Sequence, residues 1–138
     1  MKNSTIFSSI LGFIGAFFTA LFGGWTTGMI TLLIFMGIDY LSGLVVAGVF
    51  QKSNKSESGA LESRAGFKGL CRKCMILLFV LIAYRLDLMI GTNYIRDAVV
   101  ITFSINEVLS IAENAALMGI PLPKVILKAL DILKQKAS

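Results

Sequence analysis

A long uncharged stretch near the N-terminus constrains this chain more than any other feature. Residues 3–38 contain no charged side chain, and the sequence stays apolar through Phe50 with Asp39 as the one acidic interruption. A membrane-spanning helix needs about 20 apolar residues, because the bilayer hydrocarbon is roughly 30 Å thick and a helix rises about 1.5 Å per residue. The stretch is therefore long enough for two spans, and Gly23 and Gly24 predict a break between them.

The composition extends this interpretation to the whole chain. Hydrophobic residues make up 56% of the sequence and charged residues only 15%, whereas a soluble domain holds about 25% charged residues. Inside hydrocarbon, only helices and closed barrels can pair all of their backbone polar groups. The sequence lacks the repeated alternating segments of about ten residues that a barrel needs. We therefore predict an all-α fold, an integral membrane helical bundle.

Four spans are predicted, near residues 6–22, 26–50, 75–90 and 98–118. Together they form a transmembrane helical domain over residues 1–120. Pro121 and Pro123 end the fourth span, because proline cannot continue the helical hydrogen-bond ladder. Residues 121–138 then form a basic cytoplasmic tail, in which residues 124–136 are an amphipathic helix with apolar side chains on one side and mostly charged or polar ones on the other. This tail is too charged to span, and we expect it to lie at the cytoplasmic surface of the membrane.

The basic residues predict the orientation of the chain. The net charge is +5, and the positive side chains cluster in a polar connector at residues 51–73 and in the tail. Cytoplasmic loops carry an excess of lysine and arginine, so the connector and both termini are predicted to be cytoplasmic. The same placement favours contact with anionic lipid head groups and argues against nucleic-acid binding. The basic residues expected at the membrane surface are Lys68, Arg72, Lys73, Lys124 and Lys128.

Polar side chains inside the predicted spans are the candidate functional residues. A charged group within hydrocarbon is costly, so it usually faces other helices or water. In the fourth span the polar residues share one face of the predicted helix. The intramembrane candidates for pore lining or assembly are Asp39, Arg85, Asp87, Asn106, Glu107, Ser110 and Glu113.

Asp39 has two interpretations, a functional role or simple pairing inside the bundle. At about 1.5 Å per residue, Arg85 and Glu107 both fall near the predicted midplane, with Asp39 roughly 5 Å to the cytoplasmic side. We therefore expect Arg85 to neutralise Glu107, Asp39 or both.

Small residues predict where helices pack. Gly12, Ala16 and Ala20 recur every four residues on the first span, and Gly43 lies one helical turn after Asp39 on the second. Small side chains let helix backbones approach closely in membranes. We expect a packing face at these positions, with a partner helix in the same chain or in another copy.

The sequence offers little for catalysis or metal binding. Cys71 and Cys74 form a C-x-x-C pair, but the chain has no histidine and no other cysteine to complete a zinc site. We interpret the pair as two reduced cytosolic thiols. The acidic residues are scattered, and no nucleophile has a plausible base beside it. We therefore expect no enzyme activity and no catalytic residues, metal or cofactor.

Three stretches carry a resemblance to a known family. They are residues 38–43 (IDYLSG), 66–73 (GFKGLCRK) and 107–123 (EVLSIAENAALMGIPLP). In order and spacing, they resemble the toxin-secretion/phage-lysis holin family. The resemblance implies a small integral protein of the bacterial cytoplasmic membrane that assembles with copies of itself into lesions. Its implied functional partner is a cell-wall-degrading endolysin or a large secreted toxin, and the family supplies no catalytic residues.

The alternative interpretation is a small membrane ion channel or transporter. Ionisable residues inside spans often mark ion paths. Transporters commonly contain paired repeats with broken helices, and the sequence has no convincing internal repeat. Passage of ions without passage of folded protein would favour the channel.

Overall fold

The computed structural model describes residues 2–138, and every regular element in this range is helical. No strand occurs in it, which confirms the predicted all-α fold. The elements in chain order are α1 (Lys2–Phe22), α2 (Thr27–Val45) with a π-helical extension (Val46–Phe50), α3 (Ser63–Ile90), α4 (Ile95–Leu117) and α5 (Lys124–Ala137).

The break between α1 and α2 lies where the sequence predicts it. Gly23 (φ +78°) and Gly24 (φ +89°) adopt a left-handed backbone conformation that residues with a Cβ rarely accept. Thr26 then caps α2, because its Oγ1 accepts a hydrogen bond from the backbone N of Met29 at 3.2 Å. Gly91 (φ +80°) ends α3 in the same conformation. Both short turns of the bundle therefore depend on left-handed glycines.

Two helices in the described range are long and apolar enough to cross a membrane, Lys2–Phe22 and Thr27–Phe50. They coincide with the first two predicted spans. The third and fourth spans lie within α3 and α4 and remain predictions. α3 begins at Ser63, so the second half of the predicted connector is helical. At about 1.5 Å per residue this 28-residue helix is roughly 42 Å long, which exceeds the hydrocarbon thickness.

The packed core of the bundle lies between α2, α3 and α4. Met29, Leu32 and Met36 of α2 are buried against Val80 of α3 and Val100 of α4. The spacing of the three α2 residues places them on one face of that helix. The same three helices also carry the buried polar residues described below.

α1 is attached to the core only loosely. It packs along α3, its last residue Phe22 also meets Arg96 of α4, and none of its residues in the described range is buried. The small residues Gly12, Ala16 and Ala20 are all exposed in the single chain. The packing face predicted at these residues remains a prediction about contacts with other copies.

α5 packs on the outside of α4. It contacts no other helix in residues 2–138, and its Leu130 is buried. Because α5 follows α4 in the chain after a short connection, it must fold back alongside α4 to bury this residue. The predicted C-terminal amphipathic helix is therefore present, and its place at the membrane surface remains a prediction.

Candidate functional site: a buried ionic cluster

The three core helices bring together charged residues that are far apart in the sequence. Lys73 of α3 donates hydrogen bonds from Nζ to Oδ2 of Asp39 and to Oε2 of Glu107, each at 2.7 Å. Asp39 lies on α2 and Glu107 on α4, and the two residues are 7% and 5% exposed. One ammonium group therefore joins three helices through two buried carboxylates.

Asn114 completes this arrangement from two turns further along α4. It is 2% exposed. Its Nδ2 donates to the Asp39 side chain at Oδ1 (3.2 Å), to the Asp39 backbone O (3.2 Å) and to Oγ of Ser42 (2.8 Å). Both carboxylate oxygens of Asp39 therefore have a hydrogen-bond donor, from Lys73 at Oδ2 and from Asn114 at Oδ1. We call Asp39, Lys73, Glu107 and Asn114 the ionic cluster.

A fourth charge reaches the ionic cluster from the loop between α2 and α3. The Nζ of Lys55 lies 3.7 Å from Oδ1 of Asp39 and donates to Oγ of Ser110 at 3.2 Å. Removing an ion from water costs several kcal/mol, and the loss is recovered only through close pairing and hydrogen bonds. Two carboxylates and two ammonium groups make the assembled site electrically neutral, which limits that cost.

A cavity of about 250 Å³ adjoins the ionic cluster. Its walls come from α2, α3, α4 and the 53–62 segment of the loop, and many wall residues are small. It is large enough for several water molecules, each of which occupies about 30 Å³ in the liquid. The small wall residues are Gly43, Ala47, Ser53, Ser56, Ala60, Ala65, Gly66, Gly69 and Ser110. The buried charges thus lie next to a space that water could fill.

A second group of polar contacts holds the opposite end of the bundle together. Asp87, at the end of α3, accepts hydrogen bonds from the backbone N of Ile95 (3.0 Å) and of Arg96 (2.8 Å) at the start of α4. The Arg96 guanidinium donates to the backbone O of Phe22 and, at 2.9 Å, to Oγ1 of Thr26. Asp87 and Arg96 therefore tie the α1–α2 turn to the α3–α4 turn.

Arg85 does not make the pairing predicted for it. It is exposed, and within the described range its side chain forms no ion pair with Asp39 or Glu107. Lys73 takes that role, although its sequence context predicts a place at the membrane surface. Its side chain is only 14% exposed. The Arg85 pairing is not found because α3 begins well before residue 75 and carries Lys73 into the bundle. The depth of Lys73 relative to the membrane surface remains a prediction.

The sequence contains a pattern that places Lys73 on the inner face of a helix. Gly66, Gly69, Lys73 and Ile76 recur at intervals of three and four residues, which is the spacing of one helical face. All four line the cavity beside the ionic cluster. The positive charges around them favour a polar connector over a helix, and this masks the periodicity.

The other predicted residues are distributed between the site and the surface. Ser110 is half-buried at the cavity, whereas Asn106 and Glu113 lie on an exposed face of α4. Gly43 lies beside Asn114, so this predicted packing residue does meet another helix. Four of the basic residues predicted at the membrane surface are exposed, namely Lys68, Arg72, Lys124 and Lys128.

The described residues offer no site for a metal ion. Within residues 2–138, no three His, Cys, Asp or Glu side chains are grouped closely enough to hold one. Cys71 and Cys74 are free and exposed.

Comparison with known proteins gives one consistent result. The sequence model of the bacteriophage holin family matches residues 16–135. An uncharacterized protein of Listeria monocytogenes is 40% identical over 129 residues, which cover 93% of this chain and 86% of that protein. A 14.9 kDa protein from the nagH 3′ region of Clostridium perfringens is 37% identical over 89% of each chain. A probable holin of Bacillus phage phi105 is 31% identical over 75% of this chain and 71% of its own. No solved structure matches the chain.

Proposed function

Because the chain belongs to the bacteriophage holin family, as its sequence motifs predicted, we propose that it opens lesions in the bacterial cytoplasmic membrane. Copies of the chain assemble there, and the lesions let an endolysin reach the cell wall or let a large protein toxin leave the cell. The family match over residues 16–135 carries this proposal. Together with the apolar helices Lys2–Phe22 and Thr27–Phe50, it indicates a membrane protein, and the holin family is not a family of enzymes.

The ionic cluster supports the proposal on physical grounds. A protein that waits in lipid and later surrounds water needs polar groups that can be satisfied in both environments. Asp39, Lys73 and Glu107 satisfy one another inside the bundle, which removes much of the cost of placing them in a membrane. If the helices separate, the same groups can bind water instead. The cluster therefore suits a bundle with a dry state and a wet state.

The positions of the turns support a four-span, multi-pass arrangement with both termini in the cytoplasm. Arg96 binds the α1–α2 turn from the start of α4, so these two turns lie at one end of the bundle. The 51–62 loop and the basic first turns of α3, which carry Arg64, Lys68 and Arg72, lie at the other end. In this arrangement Lys68 and Arg72 face anionic lipid head groups on the cytoplasmic side.

The four-span arrangement requires α5 to leave the position that it has in the structure. α5 packs along α4, but its lysines cannot share the hydrocarbon region with a spanning α4. We infer that α5 leaves α4 in the membrane and lies at the cytoplasmic surface, with Lys124 and Lys128 toward the head groups. The α4 face that it uncovers, together with the exposed Asn106 and Glu113, is then available to other copies of the chain.

Controlled expression in a bacterium tests the proposal. The chain is induced with and without a cytoplasmic endolysin, and viability and optical density are followed. We expect an abrupt loss of viability in both cultures and lysis only where the endolysin is present. Endolysin alone serves as the control and should leave the cells intact. Normal growth at high membrane abundance of the chain would contradict the proposal.

A small ion channel is the second candidate, and the buried ionic cluster is the observation that favours it, because ionisable residues in spans often mark ion paths. A series of fluorescent solutes of increasing size, trapped in liposomes with the purified chain, separates the two functions. Release of a folded protein supports a lesion. Release of ions alone supports the channel.

A further inference from the structure

The loop between α2 and α3 is an ordered element that covers the cavity. Within residues 51–62, which we call the capping loop, the backbone N of Ser53 donates to the backbone O of Gly59 at 3.0 Å. The side chain of Ser58 donates to Oε1 of Glu62 at 2.6 Å. Gly59 adopts φ +77°, and a Cβ there would lie 2.7 Å from the backbone O of Gln51. The capping loop therefore has a defined conformation.

Lys55 attaches the capping loop to the ionic cluster. Its Nζ donates to Oγ of Ser110 on α4 at 3.2 Å and lies 3.7 Å from Oδ1 of Asp39 on α2. The Lys55 side chain is 39% exposed, whereas the Asp39 side chain is 9% exposed. One end of this contact is thus in reach of water and the other is inside the bundle.

Charge balance couples the position of the capping loop to the hydration of the cluster. With Lys55 in place, two carboxylates face two ammonium groups. Without it, Lys73 alone balances Asp39 and Glu107, and the buried site carries one net negative charge. A net charge in a region of low dielectric constant is costly, so water has to enter the cavity when Lys55 leaves.

We propose that the capping loop acts as a latch that closes the cavity. The Lys55 ammonium, which lies beside Asp39 and Ser110, holds the latch closed. Release of Lys55 opens the cavity to water at the ionic cluster and begins the change from the dry bundle to the wet one. Only this last consequence rests on the proposed function. The closing of the cavity by Lys55 is a property of the folded chain and is tested without lysis or membrane orientation.

The test measures how fast a cysteine inside the cavity reacts. Ala47 lines the cavity and is buried, so Ala47→Cys provides the reporter after Cys71 and Cys74 are replaced by serine. The full chain is placed in lipid nanodiscs, where both membrane faces are accessible, and is treated with a charged, membrane-impermeant methanethiosulfonate reagent. Lys55→Gln removes the latch. Lys52→Gln is the matched control, because Lys52 lies in the same loop and does not line the cavity.

We expect slow labelling with Lys55 present and labelling roughly tenfold faster in Lys55→Gln, as for loss of a charged hydrogen bond. Lys52→Gln should react at the parent rate, and Lys55→Arg, which keeps the charge, should stay closer to the parent than Lys55→Gln. Equal rates in Lys55→Gln and Lys52→Gln would overturn the proposal, as would fast labelling of the parent. Far-UV circular dichroism of each variant separates an open latch from an unfolded bundle. A working latch in a chain that causes no lysis would refute the proposed function alone.

Discussion

Removal of the Lys73 ammonium group should weaken the bundle much more than removal of an exposed basic side chain. In Lys73→Met the aliphatic part of the side chain is kept while both 2.7 Å hydrogen bonds are lost. Asp39 and Glu107 are then two buried carboxylates with no ammonium between them. Loss of one partner of a buried ion pair costs about 3–5 kcal/mol. At about 1.4 kcal/mol per factor of ten, the folding equilibrium falls by roughly a hundredfold to several thousandfold.

The measurement is equilibrium unfolding of the purified chain in mixed micelles, with sodium dodecyl sulfate as the denaturant and helix content from circular dichroism as the signal. Arg85→Met is the matched control, since Arg85 is an exposed cation on the same helix. It should unfold at nearly the same denaturant fraction as the parent. The triple variant Lys73→Met/Asp39→Asn/Glu107→Gln removes the Lys73 ammonium and both of its carboxylate partners, leaves the partly exposed Lys55 hydrogen-bonded to Ser110, and should recover most of the lost stability.

The triple variant also decides between two explanations if Lys73→Met does not fold at all. Recovery in the triple variant shows that unpaired charge caused the loss. If Lys73→Met is as stable as the parent, or if Arg85→Met is destabilised equally, the ionic cluster does not hold the helices together.

Three further predictions concern single contacts. Asn114→Ala removes the second donor to the buried Asp39 carboxylate and should cost about 1–3 kcal/mol in the same unfolding assay, less than Lys73→Met. Gly23→Ala should destabilise the chain by more than about 1 kcal/mol, because φ is +78° and the new Cβ would overlap side chains of α3 and α4. Gly12→Ala, with nothing within 4 Å and inside a helix, should instead be neutral or slightly stabilising. The hydroxyl and backbone N–H of Ser58 bind the Glu62 carboxylate and lower its pKa below the ordinary value. That contribution to the capping loop is therefore complete at neutral pH and lost as the pH falls through the lowered pKa. Because the thiolate fraction falls with pH, labelling of Ala47→Cys is expressed relative to a free thiol at the same pH. This ratio should rise over that range, and Glu62→Gln should remove the part of the rise that belongs to the loop.

The helices that lie in one continuous apolar stretch could be predicted from the sequence. The uncharged run and its glycine pair lead directly to α1 and α2, because apolar length and backbone freedom are local properties. The start of α3 could not be predicted from the sequence, because the positive charge in residues 64–73 is as typical of a polar connector as of the end of a long helix. A helix that is longer than the hydrocarbon is thick can carry such charge on its outer turns. Composition alone does not distinguish these cases.

The candidate site could likewise be predicted only in part. Asp39 and Glu107 could be identified from the sequence, since the cost of burying a carboxylate depends on the residue type and the surrounding segment. Their partner could not, because it depends on the register of α3 against α2 and α4. An error in where α3 begins moves Lys73 out of the bundle and leaves Arg85 as the available cation. The positions of α1 and α5 depend on which surfaces meet, and periodicity shows only which faces are apolar.

The single amino group of Lys73 has a consequence for how the molecule comes apart. When that nitrogen leaves, α2 and α4 lose their ionic contact with α3 at the same moment, while the apolar packing around Val80 and the Asp87 contacts at the other end of the bundle remain. Loosening at this end of the bundle should therefore involve α2 and α4 together. Under the proposed function, a membrane that holds many such molecules would therefore leak little until the contact at Lys73 is lost.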